Sequence, residues 1–415
     1  MIDASLKLKE KLPMQSSRRN FIKIGGTLIG SAFLTQSSIS SLLSQSEKHY
    51  KAAIIGRTGK GDYGHGLELV FKNLDVVTVA AIADENPDGL KKASERSGAQ
   101  RQYPDYREML VKEKPDIVSI APRQPDCHKD MALAVVEIGA SIYMEKPITE
   151  FPEEADAIIA AAEKKGVKIA IAHTRRMSPE FIQLKELLQK GVIGNVREFR
   201  AHGKEDARVG GEDLIVLGCH DLDMMRFFFG DPLWCSGSVT QDGRDITPAD
   251  VHRGNEPYLI AGDTVQAQFA FKNNIQCFWS SIKTKNHDNS SVVKGKDGSP
   301  KGEKWGFDIF GSKGIVSYRS GGGIFISRSR FLVPVDEGVN WEKLPLPDQS
   351  ELPNHLRHPI VNLIYAMETN TQPHCSGYDG RWAIEMVNGI YQSQITKQRI
   401  QFPLINRKHP LVDIK

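Results

Sequence analysis

Apolar runs of strand length alternate with amphipathic stretches of helix length along the first folded part of the chain. Such runs predict buried strands, and the stretches between them predict helices. The predicted strands are residues 51–55, 76–83, 117–121 and 141–144, and the predicted helices are residues 66–72, 87–97 and 130–138. Because alternating strands and helices are typical of βαβ units, we expect a doubly wound parallel sheet.

The pattern changes after about residue 171, where a short strand leads into a predicted helix at residues 180–190. Apolar and polar positions then alternate with a period of two, which indicates a mostly antiparallel sheet. Its predicted strands are residues 195–203, 234–240, 263–272, 275–281 and 306–317. Polar, glycine-containing segments at residues 203–211 and 286–304 predict mobile loops.

Composition and charge narrow the class of protein only slightly. A hydrophobic fraction of 40% and a formal net charge of +3 are typical of an ordinary globular protein. No basic stripe with interleaved aromatic residues occurs, which argues against a nucleic-acid partner. The five cysteines lack metal-ligand spacing, so we expect most of them to be buried apolar side chains.

A glycine-rich turn follows the first predicted strand and precedes a predicted helix. Gly56, Gly59, Gly61 and Gly64 would let the backbone approach a pyrophosphate at the helix N-terminus. A literal G-x-G-x-x-G runs from Gly59 to Gly64, slightly late after the strand. Either the turn carries an inserted residue, or the Thr58 hydroxyl binds a phosphate.

Asp84 lies at the end of the second predicted strand, near the spacing at which a carboxylate binds the adenosine ribose of a dinucleotide. A carboxylate there accepts from the 2′-hydroxyl of NAD and repels the 2′-phosphate of NADP, so NAD is the predicted cofactor. The alternative is that Asp84 caps the helix that begins near Pro87.

Residues 1–47 carry a twin-arginine export pattern. Arg18 and Arg19 are followed by Phe21, Lys23 and an uncharged run at residues 24–34. That run is shorter than the roughly 20 apolar residues that span a bilayer, and the start is either Met1 or Met14. We therefore predict export to the periplasm by the twin-arginine machinery, with NAD bound before translocation.

The tripeptide Glu145-Lys146-Pro147 directly follows the predicted strand at residues 141–144. It therefore lies at the carboxyl edge of the sheet, where open α/β folds bind ligands. A lysine at this edge can donate to a substrate hydroxyl and position it against the nicotinamide. The alternative is that Lys146 is an ordinary surface lysine at a strand end.

At this tripeptide the chain resembles the glucose-fructose oxidoreductase, inositol dehydrogenase and MocA (Gfo/Idh/MocA) family. Further landmarks at residues 106–110, 354–358 and 390–393 extend the resemblance over nearly the whole mature chain. It implies that the outer face of the second sheet mediates oligomer contacts, so we expect a homo-oligomer. It also implies cofactor-binding roles for Ala121, Pro122, His128, Glu145 and Lys146.

Together these features predict an α/β protein with an N-terminal Rossmann domain and a C-terminal α+β domain built on an open sheet. The predicted boundaries are residues 1–47 for the signal and linker, 48–172 for the NAD-binding domain and 173–415 for the substrate domain. The C-terminal helices are expected to pack back on the first domain.

The segment at residues 210–223 resembles the family segment that carries an aspartate and, four residues later, a histidine on one helical face. His220 matches the histidine, and Val216 occupies the aspartate position. Histidine suits removal of a hydroxyl proton because it titrates near neutrality. Its partner would be Asp213, Glu212 or a residue of another segment. The alternative is a core histidine bonded to a backbone carbonyl.

Further substrate-site candidates are His173, Arg176, His202 and Asp213. The three histidines at positions 173, 202 and 220 lack close ligand spacing, so no metal is predicted. Aromatic candidates for stacking on a sugar, or for the core, are Trp279, Trp305 and Tyr318.

The predicted activity is oxidation or reduction of a hydroxyl of a sugar or glycoside with tightly bound NAD, in which Lys146 and His220 are the catalytic residues. Turnover then requires an electron acceptor or a second sugar. One alternative is an NAD-dependent glycosidase that works by transient oxidation and elimination. A third hypothesis is a catalytically idle sugar-binding protein, which the valine at position 216 permits.

Overall fold

The computed structural model describes residues 48–283, 292–294, 300–329, 341–346, 358–412 and 414. The export pattern at residues 1–47, most of the predicted loop at 286–304 and most of the landmark at 354–358 lie outside the described residues. Among the helices that are described, none is long and apolar enough to cross a membrane.

The first half of the described chain forms a parallel six-stranded sheet of order β3-β2-β1-β4-β5-β6. Its strands are β1 (Tyr50–Ile55), β2 (Val77–Ala83), β3 (Arg101–Tyr103), β4 (Ile117–Ile120), β5 (Ser141–Met144) and β6 (Ile169–Ile171). The crossover helices are α1 (Pro87–Ser97), α2 (Tyr106–Glu113), α3 (His128–Glu137) and α4 (Pro152–Lys165). Residues 52–55 of β1 are all buried, as expected for a strand covered on both faces.

The second sheet has the order β19-β18-β17-β16-β7-β13-β12-β8-β20, with β9 paired to β8. Its pairs are antiparallel except for β7 and β13, which run parallel. The strands are β7 (Val196–His202), β8 (Trp234–Gln241), β9 (Arg244–Asp245), β12 (Thr264–Ala270), β13 (Gln276–Ile282), β16 (Gly306–Gly311), β17 (Ile315–Arg319), β18 (Gly323–Ser327), β19 (Trp341–Lys343) and β20 (Ile400–Gln401). Two small hairpins pair β10 (His252–Arg253) with β11 (Leu259–Ile260) and β14 (Val292–Lys294) with β15 (Pro300–Glu303).

The remaining helices are α5 (Pro179–Gln189), α6 (Gly210–Asp213), α7 (Cys219–Phe229), α8 (His358–Thr369) and α9 (Gly377–Thr396). A π-helical turn, Leu214–Gly218, joins α6 to α7. The predicted helix at residues 66–72 is wrong, because only the 3-10 turn Leu67–Leu69 forms there.

Helix α9 contacts both halves of the structure. It packs against β8 of the second sheet and against α4 and β6 of the first. Close approach requires glycine at two places, since a Cβ at Gly380 would lie 2.8 Å from Ile171 and one at Gly389 would lie 2.7 Å from Phe402. The two sheets thus share one buried core, and the predicted fold class is confirmed.

Candidate active site

The glycine-rich turn after β1 packs closely on the loops that follow β4 and β5. Gly61 and Gly64 have φ of +91° and +58°, in the left-handed region. A Cβ at Gly61 would lie 2.5 Å from the backbone nitrogen of Arg123, and one at Gly64 would lie 2.7 Å from Glu145 Oε2. Gly59, with φ +83°, faces open space. Its backbone N–H donates to Asp62 Oδ1 at 2.8 Å, within the turn itself.

Asp84 holds this turn from the end of β2. Its Oδ2 accepts a hydrogen bond from Thr58 Oγ1 at 2.6 Å and from the Thr58 backbone nitrogen at 3.0 Å. The Thr58 hydroxyl is therefore directed at Asp84, and its contact with a phosphate stays a prediction. Asn86 caps α1, so Asp84 is not the cap.

The cleft beside Asp84 fits the adenosine end of a dinucleotide. It lies at the carboxyl ends of β1 and β2 and is lined by Gly56, Arg57, Asp84, Glu85, Pro104, Asp105, Tyr106 and Arg107, among others. Both the acid expected at the ribose and the glycine backbone expected at the pyrophosphate border it. The contact between Asp84 and a ribose stays a prediction.

Glu145 connects the end of β5 to the glycine-rich turn. It is fully buried, and its Oε1 lies 2.9 Å from Nδ1 of His65, whose side chain is exposed. Burial opposes ionisation, but the hydrogen bond and charge of His65 hold the pKa of Glu145 below its ordinary value. Glu145 therefore positions the turn that would hold the cofactor.

His128 is buried and bonded only to backbone carbonyls. Its Nε2 lies 2.7 Å from the Pro122 oxygen, and its Nδ1 lies 3.0 Å from the Pro147 oxygen. Both ring nitrogens thus face backbone carbonyl oxygens, and the contact between His128 and the cofactor stays a prediction. The imidazole instead ties the loop after β4, with Ala121 and Pro122, to the loop after β5.

Lys146 reaches from the first sheet to the π-turn beside the second. Its ammonium is buried and donates to the Val216 carbonyl oxygen at 3.0 Å. A π-turn bonds residue i to i+5, so the regular four-residue stacking predicted for positions 216 and 220 is interrupted. The backbone carbonyl of Val216 therefore anchors Lys146, although the Val216 side chain is apolar.

His220 and His173 lie together beside Lys146. Their ring centroids are 5.3 Å apart at an interplanar angle of 83°. In the described part of the chain, both ring nitrogens of His173 and the Nδ1 of His220 are buried without a hydrogen-bond partner. The alternative was that His220 is a core histidine bonded to a backbone carbonyl. No such bond forms at its Nδ1 among the described residues.

Both histidines are held neutral. Burial lowers the pKa of His220 well below its ordinary value, and the Lys146 charge lowers it further. Burial also lowers the pKa of His173. A neutral imidazole is the form that accepts a proton.

Asp213 and Glu212, two of the three predicted alternatives for the partner of His220, hydrogen-bond other groups in this structure. Asp213 accepts hydrogen bonds from Ser281 Oγ at 2.8 Å and from the Glu205 backbone nitrogen at 3.0 Å. Burial raises the pKa of Asp213 to about 7. Glu212 accepts from Asn255. Both acids therefore hold neighbouring loops.

Asp221, next to His220, organises an aromatic wall that the sequence did not identify. It accepts from Arg175 Nη1 at 2.9 Å, from Trp305 Nε1 at 2.9 Å and from Trp279 Nε1 at 3.1 Å. The Arg175 guanidinium lies 3.9 Å from the Trp305 ring centroid, and Trp305 also contacts His220. Trp279 belongs to the core, whereas Trp305 is partly exposed and borders the site.

Two further predicted substrate residues hydrogen-bond other protein groups. Arg176 is buried, with Nε 2.7 Å from Asp223 Oδ1 and Nη2 3.5 Å from Asp379, so it joins α7 to α9. His202 hydrogen-bonds the Gly203 carbonyl at the end of β7. These ion pairs could have been predicted from two sequence features, the adjacent arginines at positions 175 and 176 and the acids at positions 221 and 223. Among the residues that are described, no group of three or more potential ligands could hold a metal.

Tyr318 packs on Phe181, with ring centroids 4.9 Å apart, and on Phe307. It also lies near Arg175, whose guanidinium is 5.5 Å from its ring centroid. Of the three aromatic candidates, Trp305 is thus the one that the structure brings against His220.

Comparisons with known proteins agree with this geometry. Residues 50–173 match the family model described as the oxidoreductase family, NAD-binding Rossmann fold, and residues 181–317 match the Gfo/Idh/MocA C-terminal domain. NAD is thus the cofactor of the first domain. A solved structure of levoglucosan dehydrogenase in complex with NADH superposes with a TM-score of 0.67 at 17% identity, over 86% of this chain and 100% of that one, which shows a shared fold.

Two relatives with assigned names match part of the chain. The myo-inositol 2-dehydrogenase of Thermotoga maritima is 26% identical over 45% of this chain and 59% of its own length. The D-apiose dehydrogenase of Paraburkholderia graminis is 27% identical over 49% of this chain and 56% of its own length. The match thus spans a little over half of each relative.

The Arg176 ion pairs yield a prediction about stability. Arg176→Met would leave Asp223 without its cation in a buried position, so we expect a loss of about 3–5 kcal/mol in the free energy of unfolding. Chemical denaturation measures it. The matched control is Arg200→Met, which breaks an exposed pair with Glu198 and should cost ~0–1 kcal/mol. Equal losses in the two variants would contradict the assignment.

Asp84 yields a prediction about cofactor choice. Asp84→Asn keeps the shape but removes the charge, so we expect NAD binding to weaken by about 1.5–3 kcal/mol and discrimination against NADP to decrease. Thr58→Val is the control, because it removes the hydroxyl bonded to Asp84 and keeps the carboxylate. Fluorescence titration with both dinucleotides measures the preference. An unchanged preference in Asp84→Asn would remove Asp84 from the ribose site.

His220 yields a prediction about chemistry. His220→Ala should slow hydride transfer by roughly 10²- to 10⁴-fold while NAD stays bound, because its side chain lies on α7. Since its pKa is lowered, the acid limb of kcat/KM in the parent enzyme should lie below 6.5, the ordinary histidine value. Single-turnover absorbance measures the rate, and His202→Ala is the control. A larger loss in His173→Ala than in His220→Ala would assign the base to His173.

Proposed function

The chain belongs to the Gfo/Idh/MocA family of oxidoreductases, and on that premise we propose that it oxidises or reduces a CH–OH group of a carbohydrate or glycoside. One observation carries the proposal. Lys146, His173 and His220 meet at the carboxyl edge of the parallel sheet, beside the glycine-rich turn, with buried ring nitrogens that have no partner among the described residues. Unpaired buried polar atoms are costly, so their presence supports a ligand site.

The roles of the side chains follow from their geometry. NAD supplies the hydride acceptor or donor when it is bound. Lys146, fixed by the Val216 carbonyl, donates a second N–H to the reacting oxygen and holds the carbinol in place. His220, kept neutral by burial, accepts the hydroxyl proton as the C–H bond breaks. Trp305 borders the site with a ring edge and limits the entry of water.

The export pattern at residues 1–47 adds a cellular context to the proposal. An enzyme sent to the periplasm meets little free NAD, so it must retain the dinucleotide through many turnovers. A retained cofactor has to be reset by a second sugar or another electron acceptor. We also propose that the chain forms a homo-oligomer and that the two domains meet near residue 172.

Cofactor retention is the testable consequence. Protein recovered from the cell envelope should hold about one dinucleotide per chain through gel filtration, because slow release requires a low dissociation rate. Native mass spectrometry with cofactor release measures the occupancy. Empty protein that binds added NAD only weakly would contradict retention.

The activity itself is tested on the NAD-loaded protein. A panel of sugars and glycosides is screened for a change in bound-nicotinamide absorbance. Reduced nicotinamide with a ketosugar supports the proposal. Net bond cleavage without a ketone would show a glycosidase instead, and sugar binding without any absorbance change would show a binding protein.

A further inference from the structure

We propose that the site takes a sugar acid, whose carboxylate is held by Lys146 and His173 while His220 serves the reacting hydroxyl. The inference rests on the proposed function and names the substrate class of the same site. It comes from the balance of charge around the buried Lys146 and His173 and the partly buried His220.

The site is rich in hydrogen-bond donors. The buried ammonium of Lys146 carries three N–H donors. Among the described residues, the hydrogen bond it makes is to one neutral acceptor, the Val216 carbonyl oxygen. His173 is only 1% exposed, and neither of its ring nitrogens has a partner in that part of the chain. The Arg175 charge is also close enough to act on His220.

The neighbouring carboxylates are already in use. Each accepts hydrogen bonds from other groups: Glu145 from His65, Asp221 from Arg175 and two tryptophans, Asp223 from Arg176, Asp213 from Ser281, and Glu212 from Asn255. Across the described ranges, no carboxylate hydrogen-bonds Lys146, His173 or His220. Val216, whose carbonyl oxygen accepts from the ammonium, has an apolar side chain and is only 2% exposed.

A buried cation with only a neutral acceptor is an unfavourable arrangement that an anionic ligand relieves. The Glu145 carboxylate interacts electrostatically with the ammonium without hydrogen-bonding it, so a neutral sugar would leave the ammonium without a directly bonded anion. A carboxylate offers two planar oxygens, one for the ammonium and one for the imidazole of His173. A phosphate offers three oxygens and more charge, and it is typically bound by an arginine fork or a helix N-terminus. Arg175 is occupied by Asp221, so a carboxylate fits the available donors better.

The distance between the two imidazoles limits where the carboxylate lies on the substrate. Their ring centroids are 5.3 Å apart, so groups bound by His173 and His220 are only a few bonds apart. The carboxylate is therefore close to the reacting carbinol, as in an aldonate or a uronate. The partly exposed Trp305 ring then faces the rest of the sugar.

The test compares matched acid and neutral sugars on the NAD-loaded protein. The pairs are D-gluconate with D-glucitol and D-glucuronate with D-glucose, and D-glucose 6-phosphate is the phosphate arm. We expect kcat/KM, followed by bound-nicotinamide absorbance, to favour the acids by about tenfold or more, the scale of a charge-assisted hydrogen bond. Equal or better turnover of the neutral sugars, or a preference for the phosphate, would overturn the inference and leave the proposed function intact.

A pair of variants isolates the charge. Val216→Asp places a carboxylate beside Lys146, so the preference for acids should fall to near or below one. Val216→Asn has the same shape without the charge and should keep the preference. Thermal unfolding and NAD content are compared in both, because position 216 is buried. An acid preference that survives in Val216→Asp would contradict the role of the uncompensated lysine.

Binding measurements separate the two hypotheses if no sugar of the panel is oxidised. Isothermal titration calorimetry of NAD-loaded protein with D-gluconate and D-glucitol reports the preference without turnover. Tighter binding of gluconate, lost in Val216→Asp, supports the sugar-acid site even where the proposed function fails. Binding that does not distinguish the two overturns it.

Discussion

Two oppositely charged, buried side chains on consecutive residues hold this site together. Glu145 points to His65 in the glycine-rich turn, and Lys146 points to the Val216 carbonyl in the π-turn. Glu145 is paired with His65, whereas Lys146 bonds to a neutral carbonyl oxygen, and each bond fixes the segment that supplies the partner. His128 adds a third constraint, because its ring nitrogens lie within hydrogen-bonding distance of the Pro122 and Pro147 carbonyl oxygens. The turn for the cofactor and the helix for the substrate are thereby set relative to one rigid strand end.

Much of this arrangement could be predicted from the sequence. The hydrophobic periodicity predicted both sheets. A strand buried on both faces is apolar throughout, whereas a strand buried on one face alternates apolar and polar residues. Lys146 and His220 were found because they belong to motifs of fixed spacing. The number of residues between Lys146 and His220 does not predict the distance between their side chains. Ligand-binding residues of open α/β folds, however, lie at the carboxyl edge of the parallel sheet.

The errors in the sequence interpretation share one physical cause. A residue type shows what a side chain can bond, and only the packed fold shows which partner it meets. Arg176 was placed in the cleft, yet its neighbour Arg175 borders the site, because α7 and α9 bring Asp223 and Asp379 to Arg176. The protein partners of His128 and Thr58 could not be predicted for the same reason. The π-turn was also missed, since regular helical spacing cannot reveal an extra residue in one turn.

Position 216 shows how backbone geometry and charge act separately at one place. The backbone carbonyl keeps Lys146 in position, so the lysine remains anchored without an acidic side chain at that position. The apolar side chain does not compensate the charge. The position of Lys146 is therefore set without a directly bonded anion, and its ammonium remains available to a charged ligand. In this view valine at position 216 preserves the reaction geometry and changes what the site selects, which makes it a determinant of specificity rather than a loss of catalytic function.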